Sequence, residues 1–304
     1  MNNVKSKFSF LLIFLLYSCS FGLGGDVWND LSDELEKAKA RKNSKIIFST
    51  QKRLSEEIQN TKKITVEPAK LNKNWTEKNF SSNNYVPHLL YKNKKNLIFK
   101  SKKIGINKFD LLNEDFEPLI ENEVVYFYDP SGTVFSYSLN KKKINWKFNF
   151  YKKRFKNKAK KLSIKISSNS LIVADNFGYL YSIKKDIGKI IWAKGFGVPF
   201  KSDIKIDDDN IFLINQDNKF YVISKINGKQ KLDLETFPSF LKSDTKTRIS
   251  LDKDKKNVYF VTSGAEIYSL NYKNRNINWL FNLTNTNLDQ KVDLFFSSPL
   301  ILKD

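Results

Sequence analysis

From Pro118 onward the chain alternates short apolar runs with clusters of turn-forming residues, and the alternation recurs at a near-constant spacing. The runs EVVYFYD, SLIVAD, NIFLIN and NVYFVT are rich in β-branched and aromatic residues, which suit a pleated, half-buried surface. Each is followed by a turn containing Gly or Asn (DPSGT, DNFGY, NQDNK, TSGAE), residues that accept the positive φ of tight hairpins. A further strand, a second turn (LNKKK, KDIGK, INGKQ, YKNRN) and a last strand complete each unit. The pattern predicts four antiparallel strands per unit. It occurs four times, over Pro118 to Phe150, Ile164 to Phe196, Ile204 to Glu235 and Ile249 to Leu283.

Three landmarks keep step through the four copies. Asp129, Asp175, Asn215 and Thr262 stand at the turn after the second strand. Phe135, Tyr181, Tyr221 and Tyr268 lie in the third strand, and Trp146, Trp192, Leu232 and Trp279 in the fourth. Each series advances by 46, 40 and 47 residues. A four-stranded sheet repeated at this period predicts an all-β fold, a β-propeller built of such blades. A bulky ring at one fixed place per blade is expected to fill the gap between neighbouring sheets. Leu232 fits that packing role, which another apolar side chain can serve.

The beginning of the chain has a different character. Lys5 and Lys7 precede a ten-residue apolar run, Phe8 to Tyr17, with one Ser in it. The run is shorter than the roughly 20 residues a spanning helix needs and suits a signal peptide over residues 1–18. Leu16-Tyr17-Ser18-Cys19 resembles a lipobox, and the chain's one cysteine falls where the lipid acceptor belongs. Residues 19–74 are then expected to form a lipid-anchored tether or pre-domain, with the partial propeller over 75–304.

Composition removes several functions. One Cys and one His exclude an intrachain disulfide and a Cys/His zinc site. His88, after Pro87 in YVPHLL, is expected to be a packing or surface residue and not a catalytic base. The acidic run Asp207 to Asn210 sits at a turn and lacks the alternate spacing of a calcium loop, so a solvated turn is expected. A formal charge of +21 raises nucleic acid as a partner, but the lysines are spread along the whole chain and form no basic-aromatic motif.

Asp175, Gly178, Tyr181, Gly188, Lys189 and Trp192 form the clearest copy of a pattern that resembles the quinoprotein-type, or PQQ-like, propeller repeat. Together with Cys19, and with Trp75 and His88 in the stretch before the first blade, the chain resembles the BamB family of outer-membrane-assembly lipoproteins. That resemblance implies an eight-bladed ring, of which about four full blades are present, so a C-terminally truncated sequence is expected. SSPLILKD at Ser297 to Asp304 matches the start of another repeat, and Phe99, 47 residues before Trp146, aligns with a fourth strand. The resemblance also implies a non-enzymatic scaffold without cofactor, at the periplasmic face of the outer membrane. Its partners would be a BamA-like barrel-inserting subunit and unfolded outer membrane proteins. Two other readings stay open: a PQQ-dependent dehydrogenase and a periplasmic ligand-binding propeller. The first would need calcium, a catalytic Asp and usually a vicinal Cys pair, which one cysteine excludes.

Overall fold

A computed structural model of the chain describes residues 65–91, 97, 99–106, 117–151, 155, 157–237, 247–283 and 299–303. The predicted signal peptide, Cys19 and the tether as far as residue 64 lie outside the described residues.

Each of the four repeats folds into one four-stranded antiparallel sheet with its strands in sequence order. Blade 1 comprises β1 (Leu119–Glu121), β2 (Val124–Tyr128), β3 (Thr133–Ser138) and β4 (Lys143–Asn149). Blade 2 comprises β5 (Leu162–Ser167), β6 (Ser170–Asp175), β7 (Tyr179–Lys184) and β8 (Ile190–Gly195). Blade 3 runs through β9 (Lys205–Asp207), β10 (Asn210–Ile214), β11 (Phe220–Ser224) and β12 (Gln230–Leu234). Blade 4 runs through β13 (Arg248–Asp252), β14 (Asn257–Val261), β15 (Glu266–Asn271) and β16 (Asn276–Asn282). The described residues therefore form four blades of a β-propeller, as the repeat spacing predicts.

The core lies between the sheets. Because successive side chains in a strand point to opposite faces, alternate residues serve alternate neighbours. In β6, Leu171 and Val173 pack with Tyr126 and Val134 of blade 1, whereas Ile172 and Ala174 pack with Ile211 and Leu213 of blade 3. This explains why SLIVAD is buried at every position while the corresponding β2 of blade 1 is only partly so. Phe212, Ile214 and Phe220 of blade 3 close the last of these layers against Val258, Phe260 and Tyr268 of blade 4. The fourth strands carry most of the solvent exposure, and β16 is exposed along its whole length.

Each blade also carries a β-bulge between its third and fourth strands. The register shifts at Ser136/Tyr137, Ser182/Ile183, Val222/Ile223 and Ser269/Leu270. In each case the shift directly follows the residue paired with the landmark Trp or Leu: Ser136 with Trp146, Ser182 with Trp192, Val222 with Leu232, Ser269 with Trp279. A bulge bends its strand and re-aims a side chain. Beside two of these bulges Trp146 and Trp192 reach the following blade.

Candidate interaction sites: the blade seams and the axial segment

The turn landmarks hold hairpins closed. Oδ1 of Asp175 accepts the backbone N–H groups of Phe177 at 2.9 Å and Tyr179 at 2.8 Å. Oδ1 of Asp129 does the same for Ser131 and Thr133, both at 3.0 Å, and Oδ1 of Asn215 for Asp217 and Lys219, both at 2.9 Å. Thr262 keeps one of the two bonds, accepting from the Glu266 amide at 3.3 Å. A short side-chain oxygen is what such a turn requires. The second carboxylate oxygen of each Asp is also engaged: Tyr151 donates its hydroxyl to Asp175 Oδ2 at 2.7 Å, and the Ile106 amide donates to Asp129 Oδ2 at 3.1 Å. Burial pushes the Asp175 carboxyl above its ordinary range, against the hydrogen bonds that lower it, and burial followed by the charge of Asp175 pushes the Tyr151 phenol far up.

The seams are built by the tryptophans. Trp146 donates its indole N–H to the Lys185 carbonyl of blade 2 at 2.8 Å, and Trp192 donates to the Lys225 carbonyl of blade 3 at 2.9 Å. Both acceptors belong to the turn between the third and fourth strands of the following blade. In that same turn a glycine lies under the ring. A Cβ on Gly188 would come within 2.5 Å of Trp146, and one on Gly228 within 2.6 Å of Trp192. All four turns have positive φ at this place, at Lys142, Gly188, Gly228 and Arg275, but Gly occurs only where a Trp arrives. Blade 4, with Arg275, receives Leu232 instead. Blade 1, with Lys142, receives Phe99, whose ring stacks on Tyr137 with centroids 6.2 Å apart and lies under the Lys142 ammonium. Phe99 fills the seam position, and the fourth strand its alignment predicts lies partly outside the described residues. Trp279 differs from its counterparts. It is 47% exposed against 9% for Trp192, and its ring rests on Tyr259 of its own blade.

The other candidates from the sequence are placed as follows. His88 is on the surface segment, with Nδ1 at 2.9 Å from the Glu67 carbonyl. The acidic run forms the turn between β9 and β10. Lys256 lies 2.8 Å from Asp207 Oδ2 and 3.2 Å from Asp208 Oδ2, and Tyr272 donates to Asp207 Oδ2 at 2.6 Å. Burial alone would raise the Asp207 carboxyl, but these bonds outweigh it and hold the group below its ordinary value. Among the described residues no group of three or more His, Cys, Asp and Glu side chains is set to hold a metal ion, and no helix is long and apolar enough to cross a membrane.

One feature was not legible at the level of repeats. Residues 75–84 run along the first strands of all four blades. Trp75 exchanges both backbone hydrogen bonds with Ile120 of β1, at 2.6 and 2.8 Å. The Thr76 carbonyl accepts from Ile166 of β5 at 3.0 Å, and the Ser82 carbonyl from Leu251 of β13 at 2.9 Å. Between them Glu77 is buried with two lysines, Lys165 of β5 at 2.5 Å and Lys205 of β9 at 3.3 Å. Lys205 also donates to the Ser81 carbonyl at 2.9 Å and to Asn84 Oδ1 at 2.7 Å. Leu300 and Leu302, in the stretch that matches a repeat start, lie against the same segment through Asn84 and Asn83. The signal was the sequence Ile-Lys-Ile, at 164–166 and again at 204–206. A lysine in the middle of an apolar strand, twice at the repeat period, asks for a buried partner.

The family model for the outer membrane protein assembly factor BamB matches residues 121–302. An uncharacterized protein of Rickettsia prowazekii (strain Madrid E) is 25% identical over 307 residues, 98% of this chain. The chain spans 62% of that relative's length. Among solved structures, BamB from Moraxella catarrhalis is 14% identical with a TM-score of 0.49, over 60% of this chain and 53% of that one. The quinohemoprotein alcohol dehydrogenase from Comamonas testosteroni is 12% identical with a TM-score of 0.44, over 54% of this chain and 34% of that one.

Proposed function

The chain belongs to the family of the outer membrane protein assembly factor BamB, and from that membership we propose that it is a non-enzymatic scaffold in the assembly of outer-membrane β-barrels. In this reading it is exported, cleaved before Cys19, lipidated there, and held at the periplasmic face of the outer membrane. It binds a BamA-like barrel-inserting subunit and helps to deliver unfolded barrel precursors. The observation that carries the reading is the family match, which runs from the last residue of β1 through blade 4. The use to which the candidate residues are put supports it. Asp129 and Asp175 are engaged by backbone and neighbouring groups, Trp146 and Trp192 by the seams, and Asp207 by Lys256 and Tyr272. A rigid stack of sheets that presents loops and outer strands is sufficient for docking other chains.

The test is affinity purification of the full chain from detergent-solubilised native membranes. The barrel-inserting subunit is expected in the eluate at near-stoichiometric yield, and recovery of the chain without it would remove the proposal. Metabolic labelling with a radioactive fatty acid checks the anchor separately: the label should be incorporated by the wild type and absent from Cys19→Ala.

A further inference from the structure

The segment at residues 75–84 meets the blades as a ligand meets a receptor. We propose that the axis between the first strands is a peptide-binding site that requires a carboxylate. Residues 75–84 are its resident occupant, held by non-covalent contacts and exchangeable for a free peptide of the same chemistry. The inference does not rest on the assembly role.

Charge is the first argument. Lys165 and Lys205 come from different blades and are both buried, and their ammonium groups converge on the two oxygens of one carboxylate, Glu77. With the segment withdrawn, two ammonium groups from neighbouring first strands would be left without the carboxylate they share. Such a pair demands an anion, so the blades select an occupant that carries one. Ser82 adds a hydroxyl bond to Glu77 Oε1 at 3.2 Å, which fixes the carboxylate between its partners.

The second argument is the Asn84 side chain, also buried. Its Nδ2 donates to the carbonyls of Ile249 at 2.9 Å and Leu300 at 2.8 Å, while its Oδ1 accepts from Lys205. Only a carboxamide offers two donors and an acceptor in that arrangement. An aspartate would set an oxygen against two carbonyls. The site therefore reads a carboxylate and, seven residues later, a carboxamide. Main-chain bonds to Ile120, Ile166 and Leu251 add affinity without regard to side chain.

The third argument is shape. Asn79, Phe80 and Asn84 all have positive φ, and the Phe80 amide returns to the Glu77 carbonyl at 3.2 Å. The occupant is a compact looped peptide. Beside it lies a cavity of about 400 Å³, bordered by Glu77, Phe80, Ser82, Leu251 and Lys253. That space gives solvent and an incoming side chain access to the segment beside Glu77, where displacement can begin.

The experiment uses the full chain with a protease site replacing residues 92–96. After cleavage, gel filtration reports whether the N-terminal piece stays with the blades, and far-UV circular dichroism reports whether the blades stay folded. A fluorescein-labelled peptide of residues 74–86 is then added, with anisotropy as the readout. The nicked chain is expected to remain folded, to retain its N-terminal piece, and to take up the labelled peptide by slow, saturable exchange. The Glu77→Gln peptide should bind at least roughly 30-fold more weakly, because it leaves two buried cations without their counter-charge. The Asn84→Asp peptide should weaken by at least roughly tenfold. In a Lys165→Met, Lys205→Met chain the preference for Glu over Gln should vanish. Unfolding upon cleavage would show that the segment is an integral part of the fold and overturn exchangeability. Equal binding of the unaltered and the Glu77→Gln peptides would overturn the carboxylate requirement.

Discussion

The seam between blades 2 and 3 makes a quantitative claim about two residues. Gly228 has φ of +68°, and a Cβ there would sit 2.6 Å from Trp192 Cε3 and 2.8 Å from Lys194 Cγ. Gly228→Ala therefore meets two costs. Holding an L-residue in the left-handed region costs about 1–2 kcal/mol. Forcing the buried ring aside costs about 1–3 kcal/mol more. Together they give a destabilisation of about 2–5 kcal/mol. Trp192→Ala removes a 9% exposed aromatic and should cost about 3–5 kcal/mol. In the double variant the ring is gone and the backbone cost of an alanine in the turn remains, with the Lys194 contact that its flexible side chain can relieve, so the two losses should fall short of additivity by about 1–3 kcal/mol. The assay is urea unfolding of the four proteins by far-UV circular dichroism, with the midpoint and slope fitted for each. Lys142→Gly is the control, at the same turn position of blade 1, where φ is +50° without an arriving tryptophan. Relief of strain and loss of chain stiffness oppose each other there, so a change within about 1 kcal/mol is expected. If Gly228→Ala costs as much in the absence of Trp192 as in its presence, the glycine is not there to admit the ring, and the account of the seam fails.

Three further outcomes follow from the same geometry. Leu232→Trp should lower stability by about 1–3 kcal/mol, since Arg275 occupies the place where the two tryptophan seams have glycine, and Arg275→Gly should recover most of that loss in thermal melts; absence of rescue would contradict the pairing of Trp with Gly. Asp175→Asn should be tolerated, because Asn215 closes the same turn in blade 3, whereas Asp175→Ala should cost about 2–4 kcal/mol by leaving the Phe177 and Tyr179 amides and the Tyr151 hydroxyl without their acceptor. Burial raises the Asp175 carboxyl in the folded state, so the folded chain binds that proton more tightly. Its contribution to stability is then greatest below the ordinary carboxyl range and declines as pH rises through the raised value. Urea midpoints compared between pH 4 and 7 should lose this slope in Asp175→Asn. Asp207 has the opposite sign: its lowered carboxyl stabilises above the unfolded value and that stability is lost as pH falls through the folded one, so Lys256→Ala should flatten the acid limb of the stability profile.

Much of this was legible because the repeat is local. Hairpin closure needs a short side-chain oxygen at one position and a residue tolerant of positive φ a few places on, and both are visible in DPSGT or DNFGY. The Trp series announced the seams for the same reason, at one fixed place per unit. The partners of the tryptophans were less visible. Gly188 and Gly228 could be read as ordinary turn glycines, and only the positive φ shared by Lys142 and Arg275 shows that the turn itself does not require Gly. What glycine supplies is room. The serines paired with the tryptophans were not legible either, because Ser136, Ser182 and Ser269 look like polar interruptions of a strand, although each is almost fully buried. The axial segment was legible least of all. Many of its contacts join residues more than a hundred positions apart, 121 for Asn84 and Lys205 and 165 for Asn84 and Ile249, and the pairing itself is not encoded by any local period.

Those long-range contacts change how the four blades should be regarded. A stack in which each sheet touches only its neighbours behaves as a linear array, with end units free to fray. The three apolar layers of this chain are of that kind, each shared by two adjacent blades. Residues 75–84 break the rule, because they bond to Ile120, Ile166, Lys205 and Leu251, one from each blade. Loss of blade 1 or blade 4 then removes not only one seam but also a share of the site that holds the segment, and loss of the segment leaves Lys165 and Lys205 without their carboxylate. The energetic unit is thus larger than a blade. The buried charges do not need to add net stability for this to hold. A buried ion pair is weak evidence of stability but costly to break by halves, and that asymmetry ties the order of one blade to the order of the rest.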